Sequence, residues 1–196
     1  MIVAVRHAQV QNVHGVVYAR LAGFHLSETG RSDAKALADA LASSPLGAVY
    51  ASPLERATET AELLGAPHGL QVRPDERLLE WSFWVRWQGL PWNRIRERDP
   101  ELLRAFAEDP AGASPDDTLE DAGKRVLAWA EDAERTNPDG LVVGVTHEAP
   151  LIAAMILGGG GAMSGYHSVS LAHLAAVRLL PGPPELVDLV QWARSC

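Results

Sequence analysis

Cysteine is all but missing from this 196-residue chain: the single one, Cys196, has no partner for an internal disulfide, so stability must come from an apolar core. Long apolar runs are missing too. A membrane span needs ~18 consecutive apolar residues, and the longest candidate, Ala149 to Leu157, is much too short, so no membrane partner is expected. The opening MIVAVRH carries no basic leader and no small-residue cleavage site, which makes a cytoplasmic protein the expectation. Basic residues are the scarcer charge, 17 against 25 acidic ones for a formal net charge of −8. A surface built to bind nucleic acid is therefore not expected. The deficit is local: Glu97 to Glu134 holds 12 of the acidic and 4 of the basic side chains, and the rest of the chain is formally neutral. A small cationic pocket outside that segment remains compatible with the acidic total.

What the chain does have is hydrophobic residues, 47% of the total, in alternating strand-like and helix-like patterns. Ile2 to Val5 reads as a buried strand. Ala34, Leu37, Ala38 and Leu41 recur at helical spacing, which predicts a helix over Thr29 to Leu41. Ala48, Val49 and Tyr50 form a second strand. Ser52 then reads as an N-cap, with Pro53 at the first helical position and Glu55 closing a capping box. Thr118 to about Arg135 is a further helix, Leu141 to Val145 a strand, and another helix follows Pro150. Two more strands are expected in Ser170 to Leu180 and Glu185 to Trp192, and a surface loop at Gly158 to Gly161. The alternation predicts an α/β protein with one domain over residues 1–196, a three-layer α/β/α sandwich around a mostly parallel sheet.

Three strand ends carry reactive or cationic side chains: Arg6 and His7, Arg56, and His147. In open α/β sheets ligands bind at the carboxyl ends of the strands. Arg56 falls in the first turn of its helix, where the macrodipole disfavours a cation and favours an anion; a bound phosphate would resolve that conflict. Two other stretches stand out. Ala8 to Glu28 is longer than the ~2–6 residues usual between a strand and a helix. Trp81, Trp84, Trp87 and Trp92 crowd a stretch without clear periodicity; most are expected in the core, with Tyr18 and Arg20 of the opposing loop allowing a partly aromatic mouth.

These residues resemble the histidine phosphatase superfamily, also called phosphoglycerate mutase-like. VRHAQVQN (Val5 to Asn12) is similar to its Arg-His-Gly-Glu/Gln opening, and SPLERATETA (Ser52 to Ala61) matches its second block in full. LLEWSFWVRWQG (Leu78 to Gly89) is similar to the block holding its acid, VGVTHEAP (Val143 to Pro150) to its Ser/Thr-His-Gly block, and LSETGR (Leu26 to Arg31) to the entry of its first helix. The resemblance spans nearly the whole chain. It implies that His7 is the nucleophile forming a phosphohistidine, that Arg6, Arg56 and His147 hold the transferring phosphoryl group, and that Glu80 is the acid and then the base. Gln9 and Asn12 are candidate donors to phosphate or substrate oxygens, with loop capping as the alternative. No metal or other cofactor is implied, because two guanidinium groups and an imidazole can spread the phosphoryl charge. The implied partner is a small phosphorylated substrate, and the state a monomer or homodimer.

Several positions depart from the family pattern. Ala8 replaces the signature Gly, Val10 a Ser or Thr, Trp84 a Gly and Gln88 an acid, while Glu148 stands where Gly is common. Glu148 is thereby near an anion site, where it would repel phosphate, orient a substrate hydroxyl or cation, or point away and cap the following helix, the last being the expectation. Within the family the chain is short for a mutase with an enclosing lid, so a phosphatase is expected, with phosphoglycerate mutase-type transfer as the alternative. A phospho-ligand binder without turnover is the rival from another class. His-Glu-x-x-His fails because Leu151 stands four residues after His147, neither a P-loop nor Gly-x-Gly-x-x-Gly is present, and Cys196 is too near the end to serve as a nucleophile. His14, His25, His68, His167 and His173 show no ligand spacing.

Overall fold

The computed structural model describes residues 1–137 and 139–195, so Cys196 and the readings attached to it lie outside the described residues. β1 (Ile2–Arg6), β2 (Leu46–Ala51), β3 (Val72–Pro74), β4 (Leu141–Thr146), β5 (Ala176–Leu180) and β6 (Glu185–Val187) form one sheet in the order β3-β2-β4-β1-β5-β6. The β3-β2, β2-β4 and β4-β1 ladders are parallel, and β5 runs antiparallel to both β1 and β6. Every residue of β4 is buried, as a central strand covered on both faces requires. Alternate residues of β1 feed opposite layers. Val3 and Val5 pack with Leu37 and Leu41 of α1 (Glu28–Leu41) and Ala57 and Leu64 of α2 (Glu55–Gly65). Ile2 and Ala4 join Val126 and Trp129 of α5 (Leu119–Thr136) and Ile152 of α6 (Glu148–Gly158). This is the expected α/β/α arrangement. Thr118 and Asp121 form a reciprocal capping box that fixes the start of α5. At Gly144 of β4 a Cβ would lie 2.3 Å from Trp129, so only glycine lets that indole lie against the strand.

Register decides where the chemistry meets. Arg6 pairs with Thr146, and Ala51 and Val5 both pair with Val145, so β1, β2 and β4 end level with one another. The next residue on each strand is His7, Ser52 or His147. Because β5 is antiparallel to β1, with Ala176 opposite Val5, the chain enters β5 at this same edge.

The expected second strand of the tail stops early. Glu185–Val187 is β6, but the Asp188 side chain accepts hydrogen bonds from the backbone of Val190 and Gln191 and starts α7 (Leu189–Ala193). The tryptophan-rich stretch is a 3₁₀ helix, Ser82–Trp87, followed by α3 (Trp92–Arg98) and α4 (Pro100–Glu108). Trp81 and Trp87 are fully buried, Trp84 is half-buried and Trp92 is 52% exposed, so two of the four form core. Gly158 ends α6, and Gly159 to Gly161 are exposed as expected. No helix among the described residues is long and apolar enough to cross a membrane.

Candidate active site

His7 leaves β1 with its backbone N–H bonded to the Thr146 carbonyl, which holds it at the sheet edge. Its Nδ1 lies 2.8 Å from the Ala8 carbonyl. A carbonyl only accepts, so Nδ1 carries the proton and Nε2 keeps its lone pair. The Arg56 Nε–H donates to that Nε2 at 3.2 Å. Burial, reinforced by the Arg56 charge, holds the His7 pKa well below the ordinary histidine value and keeps the ring neutral.

Arg56 is completely buried although it sits in the first turn of α2. Its Nη2 donates to the Ala19 carbonyl at 2.7 Å and lies 3.1 Å from His147 Nδ1. A guanidinium has no lone pair, so His147 Nδ1 accepts and His147 Nε2–H donates to Ser52 Oγ at 2.8 Å. Burial first and Arg56 second keep His147 neutral as well. The capping box expected at Ser52 is absent: α2 starts at Glu55 with Leu54 before it and no side-chain cap, the Ser52 hydroxyl accepts from His147 and from the Leu54 N–H at 3.4 Å, and Glu55 Oε1 accepts from the Gly23 N–H at 3.1 Å. Ala19 is held at φ 34°, a left-handed conformation costing a non-glycine residue about 1–3 kcal/mol, and presents its carbonyl to Arg56. Two donors are left over: Arg56 Nη1 and Arg6 Nε are buried without a hydrogen-bond partner. An unmet buried donor costs ~1–3 kcal/mol, and two of them on guanidinium groups flanking His7 suit an anion.

Glu80 faces the same cavity. Thr146 Oγ1 donates to the Leu78 carbonyl at 2.8 Å, and Arg20 grips the Glu80 carbonyl with Nε at 3.0 Å and Nη2 at 2.6 Å. The carboxylate oxygen Oε1 accepts from the Trp81 N–H at 2.8 Å. Burial raises the Glu80 pKa above the usual carboxyl value, against the opposing pull of Arg56. The Arg20 N–H donates to Gln88 Oε1, so at this departure from the pattern a neutral amide oxygen serves as acceptor. Ala8 is buried against Leu26 and Ala34, which accommodates its extra methyl.

Arg6, His7, Asn12 and Glu80 line a cavity of about 230 Å³, with Arg56 and His147 packed behind His7. Asn12 closes its own loop, donating to the Val16 carbonyl and accepting from the Val16 N–H. Gln9 is not brought to the cavity: it is exposed, and its amide oxygen accepts from Ser27, the N-cap of α1. Glu148 corrects its expectation. It does not point away; it lines the cavity, pairs with Arg6 at 3.0 Å and accepts from the Leu171 N–H at 3.2 Å. Arg6, whose Nη1 also donates to the Leu171 carbonyl, and the backbone leading to β5 attract the carboxylate inward.

Sequence reasoning missed Tyr166, another cavity-lining residue, and His173, whose ring centroid is 5.8 Å from that of His7. Nothing local singles out His173. The signal is topological, since an antiparallel β5 must begin at the edge where β1 ends. Leu174, at φ 61°, donates its N–H to the Arg6 carbonyl and turns the chain there. Among the described residues no group of three His, Cys, Asp or Glu side chains is placed to hold a metal ion.

A mostly parallel α/β/α fold that brings Arg6, His7 and a Glu80 of raised pKa to one small cavity, with Arg56 and His147 packed against His7, supplies the groups that the chemistry of phosphate esters uses. The sequence profile of the histidine phosphatase superfamily (branch 1) matches residues 2–193, and the chain belongs to that superfamily as a phosphomonoester hydrolase. It is 37% identical over 147 residues to an uncharacterized protein of Mycobacterium tuberculosis, spanning 75% of this chain and 72% of that one. Phosphoserine phosphatase 1 of Hydrogenobacter thermophilus is 29% identical over 78% of this chain and 72% of its own. Among solved structures, a mycobacterial glucosyl-3-phosphoglycerate phosphatase complexed with VO3 superposes with a TM-score of 0.81 at 28% identity, covering 95% of this chain and 96% of that one.

Proposed function

We propose that the protein hydrolyses a small phosphomonoester through a phosphohistidine on His7. In the first step the lone pair of Nε2 attacks phosphorus while the bond to the ester oxygen breaks, and Glu80 gives its proton to the departing alcohol. In the second, a water molecule attacks phosphorus as Glu80 takes its proton, the P–N bond breaks, and His7 returns with inorganic phosphate released. Arg56 and Arg6 stabilise the equatorial phosphoryl oxygens throughout, while His147, whose Nδ1 accepts from Arg56 and whose Nε2–H is spent on Ser52, holds the Arg56 guanidinium in position. The observation that carries the reading is the Nδ1–H bond of His7 to the Ala8 carbonyl, which leaves Nε2 unprotonated beside an Arg56 that still has a spare donor. The raised Glu80 pKa supports the acid role, because the group must arrive protonated. The proposal takes the enzyme to be one cytoplasmic domain, monomeric or homodimeric.

Rapid quench after mixing with a labelled phosphomonoester should trap acid-labile phosphate on the wild type and none on His7→Ala. Steady-state release of inorganic phosphate should likewise depend on His7. Turnover by the wild type no faster than by His7→Ala would leave a phospho-ligand binder, and phosphate passed to a second substrate rather than to water would leave a mutase.

A further inference from the structure

The cavity holds more than a phosphoryl group needs, and apart from Asn12 and Glu148 the remaining wall is aromatic and aliphatic. Tyr18, Trp84, Trp92 and Tyr166 line it, with Val16 and Val17 between them. Trp84 and Trp92 meet edge to face with ring centroids 5.6 Å apart, and Trp92 keeps 52% of its surface exposed at the mouth. Asn12 and Glu148 on the wall are already committed, which leaves the Tyr18 and Tyr166 hydroxyls as its uncharged polar groups. Asn12 is bonded at both ends to Val16, and Glu148 is held by Arg6 and Leu171. Among the described residues Arg6 is the only lysine or arginine on the wall, and it belongs to the phosphoryl end; Arg20 turns away to the Glu80 carbonyl and lies 3.8 Å from Asp117. A carboxylate on the leaving alcohol would meet Glu80 and Glu148 with no cation to receive it. A polyhydroxylated one would give up its water for few partners, at a cost for each group buried unpaired.

Resting on the phosphatase reading above, we infer that the preferred substrates are monophosphates of a small uncharged aromatic alcohol, whose ring packs against Trp84 and Trp92. About 230 Å³ is below the ~300–1,000 Å³ of sites for drug-sized ligands and limits the alcohol to about one ring system. Benzyl phosphate, phosphoserine, 3-phosphoglycerate and glycerol 3-phosphate all leave as alkyl alcohols, so a comparison of kcat/KM among them reads recognition rather than leaving-group quality. Benzyl phosphate should lead each of the others by at least about tenfold, the scale of one aromatic contact with its buried area. Trp92→Ala, at a half-exposed position that need not disturb folding, should shrink that lead by about tenfold. Glu148→Gln should improve phosphoserine and 3-phosphoglycerate relative to benzyl phosphate. A carboxylated or polyhydroxylated substrate that equals or exceeds benzyl phosphate, or a Trp92→Ala variant that leaves the ratio unchanged, overturns the inference while trapped phosphohistidine would keep the hydrolase reading intact. If no phosphohistidine forms with any of the four, both fall.

Discussion

Replacing Arg56 by methionine removes a buried cation while nearly preserving the length of the side chain, and several consequences follow from its contacts. Nη2 is committed to Ala19, but Nε is released once His7 Nε2 attacks, and Nη1 has no partner. Two charge-assisted hydrogen bonds to the transferring phosphoryl group at ~1.5–3 kcal/mol each amount to about 3–6 kcal/mol, or roughly 10²–10⁴ in kcat/KM. The charge has a separate signature. Burial, Arg56 and more weakly Arg6 and His173 depress the His7 pKa, so Arg56→Met removes the largest of the depressing charges and the pKa rises. Arg56 also pulls Glu80 down, so without it the carboxyl holds its proton to higher pH. Both limbs of the kcat/KM profile should therefore move to higher pH. Nitrogen-15 NMR of the histidine rings reads the first shift directly, free of the titration of the substrate itself. The melting temperature should fall, because methionine leaves the Ala19 carbonyl and the ring nitrogens of His7 and His147 buried without their donor, at ~1–3 kcal/mol for each group left unmet. A variant that loses activity with its His7 titration unmoved, or moved to lower pH, would refute the assignment of Arg56 as the cation that keeps the nucleophile neutral.

Glu80→Gln should cost ~10²–10⁴ in kcat/KM on alkyl phosphates, with a smaller loss in phosphoenzyme formation from 4-nitrophenyl phosphate, whose leaving oxygen needs little protonation. Its effect on stability has the opposite sign. The pKa of Glu80 is raised in the folded protein, so the stability this group contributes is full below its unfolded value of ~4.3 and lost as pH rises through the folded one. The melting temperature of Glu80→Gln relative to wild type should rise between pH 4 and pH 8, and a constant difference would contradict the raised pKa. Gly144→Ala places a methyl 2.3 Å from Trp129 and should destabilise by about 1–3 kcal/mol, detectable as a lower melting temperature. An unchanged melting temperature would mean that the indole is free to move.

Much of the fold was legible because its signals are local. Helical periodicity marked α1 and α5, and a compact apolar run marked β4 as a strand. Signals went astray where one side chain had two possible employers. Ser52 carries every local mark of an N-cap, yet its hydroxyl is taken by an imidazole 95 residues away in the chain. Asp188, inside an apparently strand-like tail, instead acts as the cap that ends β6. Glu148 has the local setting of a cap on α6, and its inward turn is explained by Arg6 together with the Leu171 N–H, both set by tertiary structure.

The residue types that make phosphate chemistry available, Arg6, His7, Arg56, Glu80 and His147, stand in the sequence with their spacing, and so does the scarcity of other reactive groups. Their states do not. Which nitrogen of His7 bears the proton depends on the Ala8 carbonyl, the neutrality of both imidazoles on burial beside Arg56, and the raised pKa of Glu80 on a wall assembled from three distant segments. His173 and the aromatic mouth likewise exist only once β5 is laid antiparallel to β1 and the loop after β1 is bonded to the segment around Leu90. Sequence determined which groups are available, since that is a matter of covalent identity; tertiary structure decided their protonation and company, since desolvation and Coulomb energy depend on distances through space rather than along the chain.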